Sequence, residues 1–172
     1  MFVRRRHAVA ALVAAFLLTS GCGSPASPPA SPMTTTTASP ADSDAAAFAA
    51  AEETYRTYVE ALNAVDLADP STFEPVYALT TGEVQEADRR NLDRYNAENV
   101  TLSGASIITS MKYDAESRLL QACLDVSAVE LTAPDGASLV DPDRRAVQSL
   151  IISFDDSASR IAHIEAGEAS KC

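Results

Sequence analysis

Leu120-Gln121-Ala122-Cys123-Leu124-Asp125-Val126-Ser127-Ala128 alternates apolar and polar side chains without a break. A period of two is the mark of a strand with one buried face. Leu120, Ala122, Leu124, Val126 and Ala128 fall on one side, and Gln121, Cys123, Asp125 and Ser127 on the other. The pattern predicts one long strand over residues 118–132. Upstream, residues 100–113 are rich in Val, Leu, Ile, Thr and Ser and read as its partner, joined through Asp114-Ala115-Glu116-Ser117. Downstream, a loose connection runs from Pro134-Asp135-Gly136 through Asp141-Pro142-Asp143. Residues 146–154 predict a third strand. A turn at Asp155-Asp156-Ser157 leads to a shorter fourth over residues 160–166. Short connections make these strands an antiparallel meander.

Before Asn99 the period is helical. Over residues 45–67, Phe48, Ala51, Tyr55, Val59, Leu62 and Val65 form one apolar stripe, with Glu52, Glu53, Arg56 and Glu60 mainly off it. Asp42-Ser43-Asp44 offer capping oxygens for its start, and Asp69-Pro70 stops it. Ser71 and Glu74 have capping-box spacing for a short second helix through Tyr77 and Leu79, with Pro75 in its first turn. Thr80 and Glu83 repeat that spacing ahead of a third helix carrying Val84, Ala87, Asn91 or Leu92, and Tyr95. Helices first and strands after make the class α+β: N-terminal helices packed on a curved, mainly antiparallel four-stranded sheet. The predicted domain spans residues 44–172, with Tyr55, Val59 and Leu62 against the apolar strand faces.

Ahead of the domain lie Arg4-Arg5-Arg6, an apolar run from Ala8 to Leu18, and the small residues Thr19-Ser20-Gly21 before Cys22. A basic patch, a short apolar core and a small-residue exit predict a secretory signal peptide over residues 1–21. The run is too short for a span of about 20 residues, which argues against an uncleaved anchor. The ending resembles the lipobox of bacterial lipoproteins, whose cysteine thiol receives a diacylglycerol and becomes the new N-terminus. Thr19 stands where that motif commonly has Leu, with Leu18 one step earlier. The resemblance implies a lipid anchor on Cys22, acylated with chains such as palmitate, holding the protein at the outer face of the cell membrane. The alternative is a secreted protein with a chance cysteine near the cut. Residues 22–43 hold Pro25, Pro28, Pro29, Pro32, Pro40 and the run Thr34-Thr35-Thr36-Thr37, a low-complexity tether with nothing to bury.

The 172 residues carry 13 basic and 24 acidic side chains, a formal charge of −11. Loss of Arg4, Arg5 and Arg6 with the leader leaves 10 basic groups against 24 acidic, a charge of −14. Such a surface repels phosphate backbones and anionic headgroups. Nucleic acid is excluded as an expected partner, and membrane contact is expected from the lipid alone.

Cys123 and Cys172 are the thiols left after Cys22 is acylated. Two cysteines in an exported chain predict a disulfide, with two free thiols as the alternative. A metal site is not expected, since only His163 is at hand to join them and the ligand set would be incomplete. Asp125 is the one charged side chain in the middle of a long strand. It reads either as a solvated group, free or paired with Arg144 or Arg145, or as a pocket carboxylate. His163 falls in the same alternate set as Ile161 and Glu165, an edge histidine or a general base. Tyr55 and Tyr58 are core with a hydrogen-bonded tip, or place one hydroxyl in a pocket. No nucleophile motif, phosphate loop or metal cluster is legible, and no cofactor is expected.

A long Tyr-containing first helix, a short second, a third, and then a long curved antiparallel sheet resemble the nuclear-transport-factor-like family, the cystatin-like α+β roll. The stretch Ala122-Cys123-Leu124-Asp125-Val126-Ser127 and the terminal Cys172 are similar to uncharacterised actinobacterial lipoproteins of that fold. The resemblance covers about residues 45–172. It implies a conical pocket between helix and sheet, used by relatives for binding or for small-molecule chemistry. The expected function is therefore a membrane-tethered extracytoplasmic module that binds an unknown protein or small ligand without catalysis. The alternative is a cyclase, isomerase or epoxide-hydrolase-like enzyme with Asp125 or His163 as general base.

Overall fold

A computed structural model describes residues 40–172, with side chains from residue 43. The predicted leader, the lipidation site Cys22 and most of the tether lie outside the described residues. The elements run α1 (Pro40–Asn63), a 3-10 turn (Pro70–Thr72), α2 (Glu74–Ala78), α3 (Gly82–Ala97), β1 (Thr101–Ser103), β2 (Ile107–Asp114), β3 (Leu119–Asp125), β4 (Glu130–Thr132), β5 (Val147–Phe154), β6 (Ile161–Ala166) and a C-terminal 3-10 turn (Ala169–Lys171). The class is α+β, with the helices packed on antiparallel sheet. The main sheet has the order β2-β3-β5-β6, and β1 pairs with β4 in a separate ribbon.

The first helix begins at Pro40, inside the stretch read as tether, and ends at Asn63 rather than 67. Val65 and Leu67 lie beyond it yet are buried, because the chain turns inward there. The α1 stripe is the core seam: Ala51, Tyr55 and Val59 are buried, with Phe48 and Leu62 packed at its margins. Neither capping box forms. Asp69 caps the 3-10 turn by accepting from Ser71 N at 3.0 Å, and α2 has no side-chain cap. Thr80 is fully buried and donates back to Val76 O at 3.3 Å, and α3 starts from Thr81 without a side-chain cap.

Leu120, Ala122, Leu124 and Val126 are buried beneath the helices, as their alternation requires. Leu120 faces Ile152 and Ala122 faces Leu150 across the β3–β5 pair. Fully burying such side chains contributes about 1.5–3 kcal/mol each, so this helix–sheet contact dominates stability. On the outer face, Cys123 is covered by the C-terminal turn and bonded to Cys172, a separation of 49 residues.

The two long strands predicted over 100–113 and 118–132 are each broken in two. Both breaks fall at the same level: 104–106 on one side and 126–129 on the other, so β1–β4 continues β2–β3 past a bend. Gly104 makes the bend possible. Its φ is +78°, and a Cβ there would sit 1.8 Å from Ala128 O, so only glycine fits. At the far edge, Thr81 N donates to Ile161 O at 2.9 Å and Ile161 N to Leu79 O at 2.8 Å, which covers the start of β6.

Candidate functional site

The structure disperses the three candidate residues. Tyr55 is 1% exposed, its ring tilted on Tyr58 at a 6.4 Å centroid distance, and burial pushes its pKa up to about 12. Asp125 closes a local turn by accepting from Ser127 N at 2.9 Å, and the hydrogen bonding from Ser127 holds its carboxyl below the usual value. Arg144 is not its partner; that guanidinium donates to the carbonyls of Val126 and Val129 at 2.9 and 2.8 Å.

His163 is exposed rather than aligned with Ile161. Phe154 faces Ile161, but Ser153 faces His163, so Ala162 is an extra residue that reverses the alternation. Ile161 is buried while His163 pairs with Glu83 at the start of α3 and lies 3.6 Å from Glu165. Its pKa is raised, first by the hydrogen bond to Glu83. Asp125 sits opposite Val147 and His163 opposite Ser153, six residues apart along β5 or about 20 Å. They form no acid/base pair.

The titratable pair that does form joins Tyr58, one of the two first-helix tyrosines read as core or pocket hydroxyls, to Asp88, which the sequence reading did not single out. Tyr58 on α1 and Asp88 on α3 meet beside Ile164, with Tyr58 Oη 3.2 Å from one Asp88 carboxylate oxygen and 3.4 Å from the other. They line an open groove of about 460 Å³ with Glu83, Val84, Arg90 and Ile164. Loss of solvent pushes Asp88 up to about 6, against the lowering effect of hydrogen bonds with Tyr58 and Thr80. Burial, then the Asp88 charge, raises Tyr58. The signal was present: Asp88 lies four residues after Val84 and four before Leu92, both buried, so it occupies the apolar stripe of α3.

A second hollow lies at the C-terminal ends of the same helices, one turn further along α1 and one to two turns further along α3. Its floor is Val65, Leu67 and Leu92, which are buried. Its walls are the half-buried Leu62, Tyr95, Leu102, Val129 and Leu131, from α1, α3, β1 and the chain leading into β4. Asn63 and Gly104 form an exposed rim, and the volume is about 180 Å³. Among the described residues, no carboxylate, imidazole, amine or guanidinium lines it. Where the resemblance implies a conical pocket, the helix–sheet interior is filled by Tyr55, Phe73, Leu120, Ile152 and Ile161, each under 2% exposed.

Among the described residues, no group of three or more His, Cys, Asp or Glu is placed to hold a metal, and no helix is long and apolar enough to cross a membrane. No protein-family model matches the chain, and no curated protein matches it. Among solved structures it is similar to a protein of unknown function with a cystatin-like fold from Methylobium petroleophilum PM1. The identity is 17% and the TM-score 0.42, over 70% of this chain and 76% of that one. A likeness of that size carries nothing about function.

Proposed function

We propose that this chain is a membrane-tethered extracytoplasmic lipoprotein, of the actinobacterial kind with a nuclear-transport-factor-like domain, acting as a non-catalytic binding module. The basic patch, short apolar run and Gly21-Cys22 exit support export and acylation on Cys22. Two or more acyl chains give stable attachment where one binds only marginally. The observation that carries the binding reading is the apolar cleft, whose lining offers contact surface and, among the described residues, no carboxylate or imidazole.

A second reading is favoured by Asp88. A carboxyl that titrates near pH 6, in an open groove with a tyrosine hydroxyl, suits a general base. This moves the enzyme reading from Asp125 or His163 to Asp88. Two measurements separate the readings. Cys22→Ser is expected to abolish acyl labelling and release the protein from membranes; unchanged labelling defeats the tether. Native mass spectrometry of protein extracted from its own membranes is expected to find a bound species that Leu131→Trp loses and Asp88→Asn keeps. Loss with Asp88→Asn instead would promote the enzyme.

A further inference from the structure

Leu62, Leu102, Val129 and Leu131 are half-buried, and all face the same hollow. Aliphatic walls left against water close up unless something holds them apart. Four fixed contacts do so here. Asn63 at the end of α1 donates to Ser106 O at 2.9 Å and accepts from Ser106 N at 2.8 Å, pinning the helix to the chain between β1 and β2. Asn96 at the end of α3 donates to Leu67 O at 2.6 Å, pinning that helix to the loop after α1. Gly104 sits hard against the Ala128 carbonyl and fixes the bend of the ribbon. Arg94 lies 4.7 Å over the Tyr95 ring and holds that wall in place. The hollow is therefore built open.

The same contacts decide its chemistry. The Asn63 amide at the rim spends both its oxygen and its nitrogen on Ser106. The walls supply aliphatic carbon and the phenol ring of Tyr95, with Ser106 beside Asn63 at the rim. Size narrows the occupant further. At about 180 Å³ the cleft is close to the roughly 150 Å³ apolar cavities that take benzene, and well under the 300–1,000 Å³ of drug-sized pockets.

From this geometry we infer that the cleft between the ends of α1 and α3 and the β1–β4 ribbon binds a small uncharged apolar molecule, a single aromatic ring or a branched alkyl group of similar size. This inference rests on the binding-module reading and names the ligand class of its site. A long acyl chain or a polycyclic ligand does not fit the volume, and a charged ligand finds no charged side chain in the lining among the described residues. The site is separate from the middle of the helix–sheet interface, which the protein fills with its own side chains.

The test is a titration of the full chain, purified free of detergent, with toluene, followed by 13C-methyl NMR. Saturable shifts are expected at the methyls of Leu62, Leu92, Leu102, Val129 and Leu131, with a dissociation constant on the order of 0.1 mM for so few heavy atoms. Leu131→Trp fills the hollow and is expected to weaken toluene at least tenfold; Leu139→Ala, at an exposed leucine outside it, is expected to leave it unchanged. If Leu131→Trp fails to fold by circular dichroism, Leu102→Trp takes its place. Unsaturable shifts, or shifts spread over methyls away from the cleft, overturn the inference. Failure here alongside a partner retained in native extracts discards the ligand class and keeps the module. Toluene binding alongside turnover that requires Asp88 discards the non-catalytic reading and keeps the cleft.

Discussion

α1 and α3 border two hollows, and the two differ in charge. Near the start of α3 the apolar stripe carries Asp88, which meets Tyr58 and opens a polar groove. One to two turns later the same stripe carries Leu92 and then Tyr95, and the space is lined with carbon. The groove holds a carboxyl whose pKa is pushed up to about 6; among the described residues the cleft holds no carboxyl. Placement of the charged Glu83, Asp88 and Arg90 along one amphipathic helix is what separates a site able to do acid–base work from one suited to accommodate a shape.

The largest perturbation tests whether the hollows share a foundation. The Cys123–Cys172 bond lies on the outer face of the sheet, away from both. In the chain-entropy treatment a loop of 49 residues is worth up to about 4 kcal/mol. Cys172→Ser is expected to lower stability in urea by that order while toluene and Asp88 titrate as before. Alkylation of both thiols in unreduced protein would remove the premise. Next is Gly104→Ala, which places a methyl where the Ala128 carbonyl stands. A loss of about 3 kcal/mol is expected, with the cleft losing toluene and the Asp88 pKa unmoved. Equal damage to both hollows would show them to be one cooperative unit.

Asp88 gives the pH leg of the contrast. Its folded pKa of about 6 lies above the ordinary 3.8, so the folded chain binds that proton more tightly. The stabilisation is full below 3.8 and is lost as pH rises through about 6. Asp88→Asn is expected to be more stable than wild type at pH 7.5 and equal to it at the acid end of that window. Partial solvation of the group trims the gain to about 1 kcal/mol. Chemical denaturation across pH checks this, and a wild-type profile without that slope contradicts it. The smallest effects belong to Asp125→Ala and His163→Ala, expected to leave binding within a few-fold of wild type by the toluene titration. For His163 the raised folded pKa means a contribution present at low pH and lost as pH climbs through that value, visible in 1H–15N spectra as a shift toward the ordinary histidine value in Glu83→Gln.

Regular period carried much of the fold into view. The α1 stripe and the Leu120 to Val126 face are buried as their spacing demands. What alternation does not announce is a change of phase. Ala162 inserts one residue, and His163 leaves the side it was expected to share with Ile161. The bend at Gly104 was hidden for a related reason: residues 100–113 keep strand composition through it, and the obstacle is a carbonyl 24 positions later. Capping boxes failed where tertiary contact outbid local pairing, as when Thr80 was drawn into the core. The site was less legible than the fold. Asp88 was readable as an acid out of place on an apolar stripe, whereas the cleft depends on Asn63 meeting Ser106, 43 residues away, which no spacing reports.

The shared bend also sets an order of assembly. β2 and β3 are joined by a short turn and close a local loop, whereas Thr101 and Thr132 meet only with that whole hairpin nested between them. Loop-closure entropy favours the inner pair first, and the outer ribbon then zips past Gly104. The cleft, walled by that ribbon, is thus among the last parts to form and the first to open. Strain added at Gly104 falls after the folding barrier, so it shortens the lifetime of the finished cleft and leaves the rate of reaching it nearly unchanged.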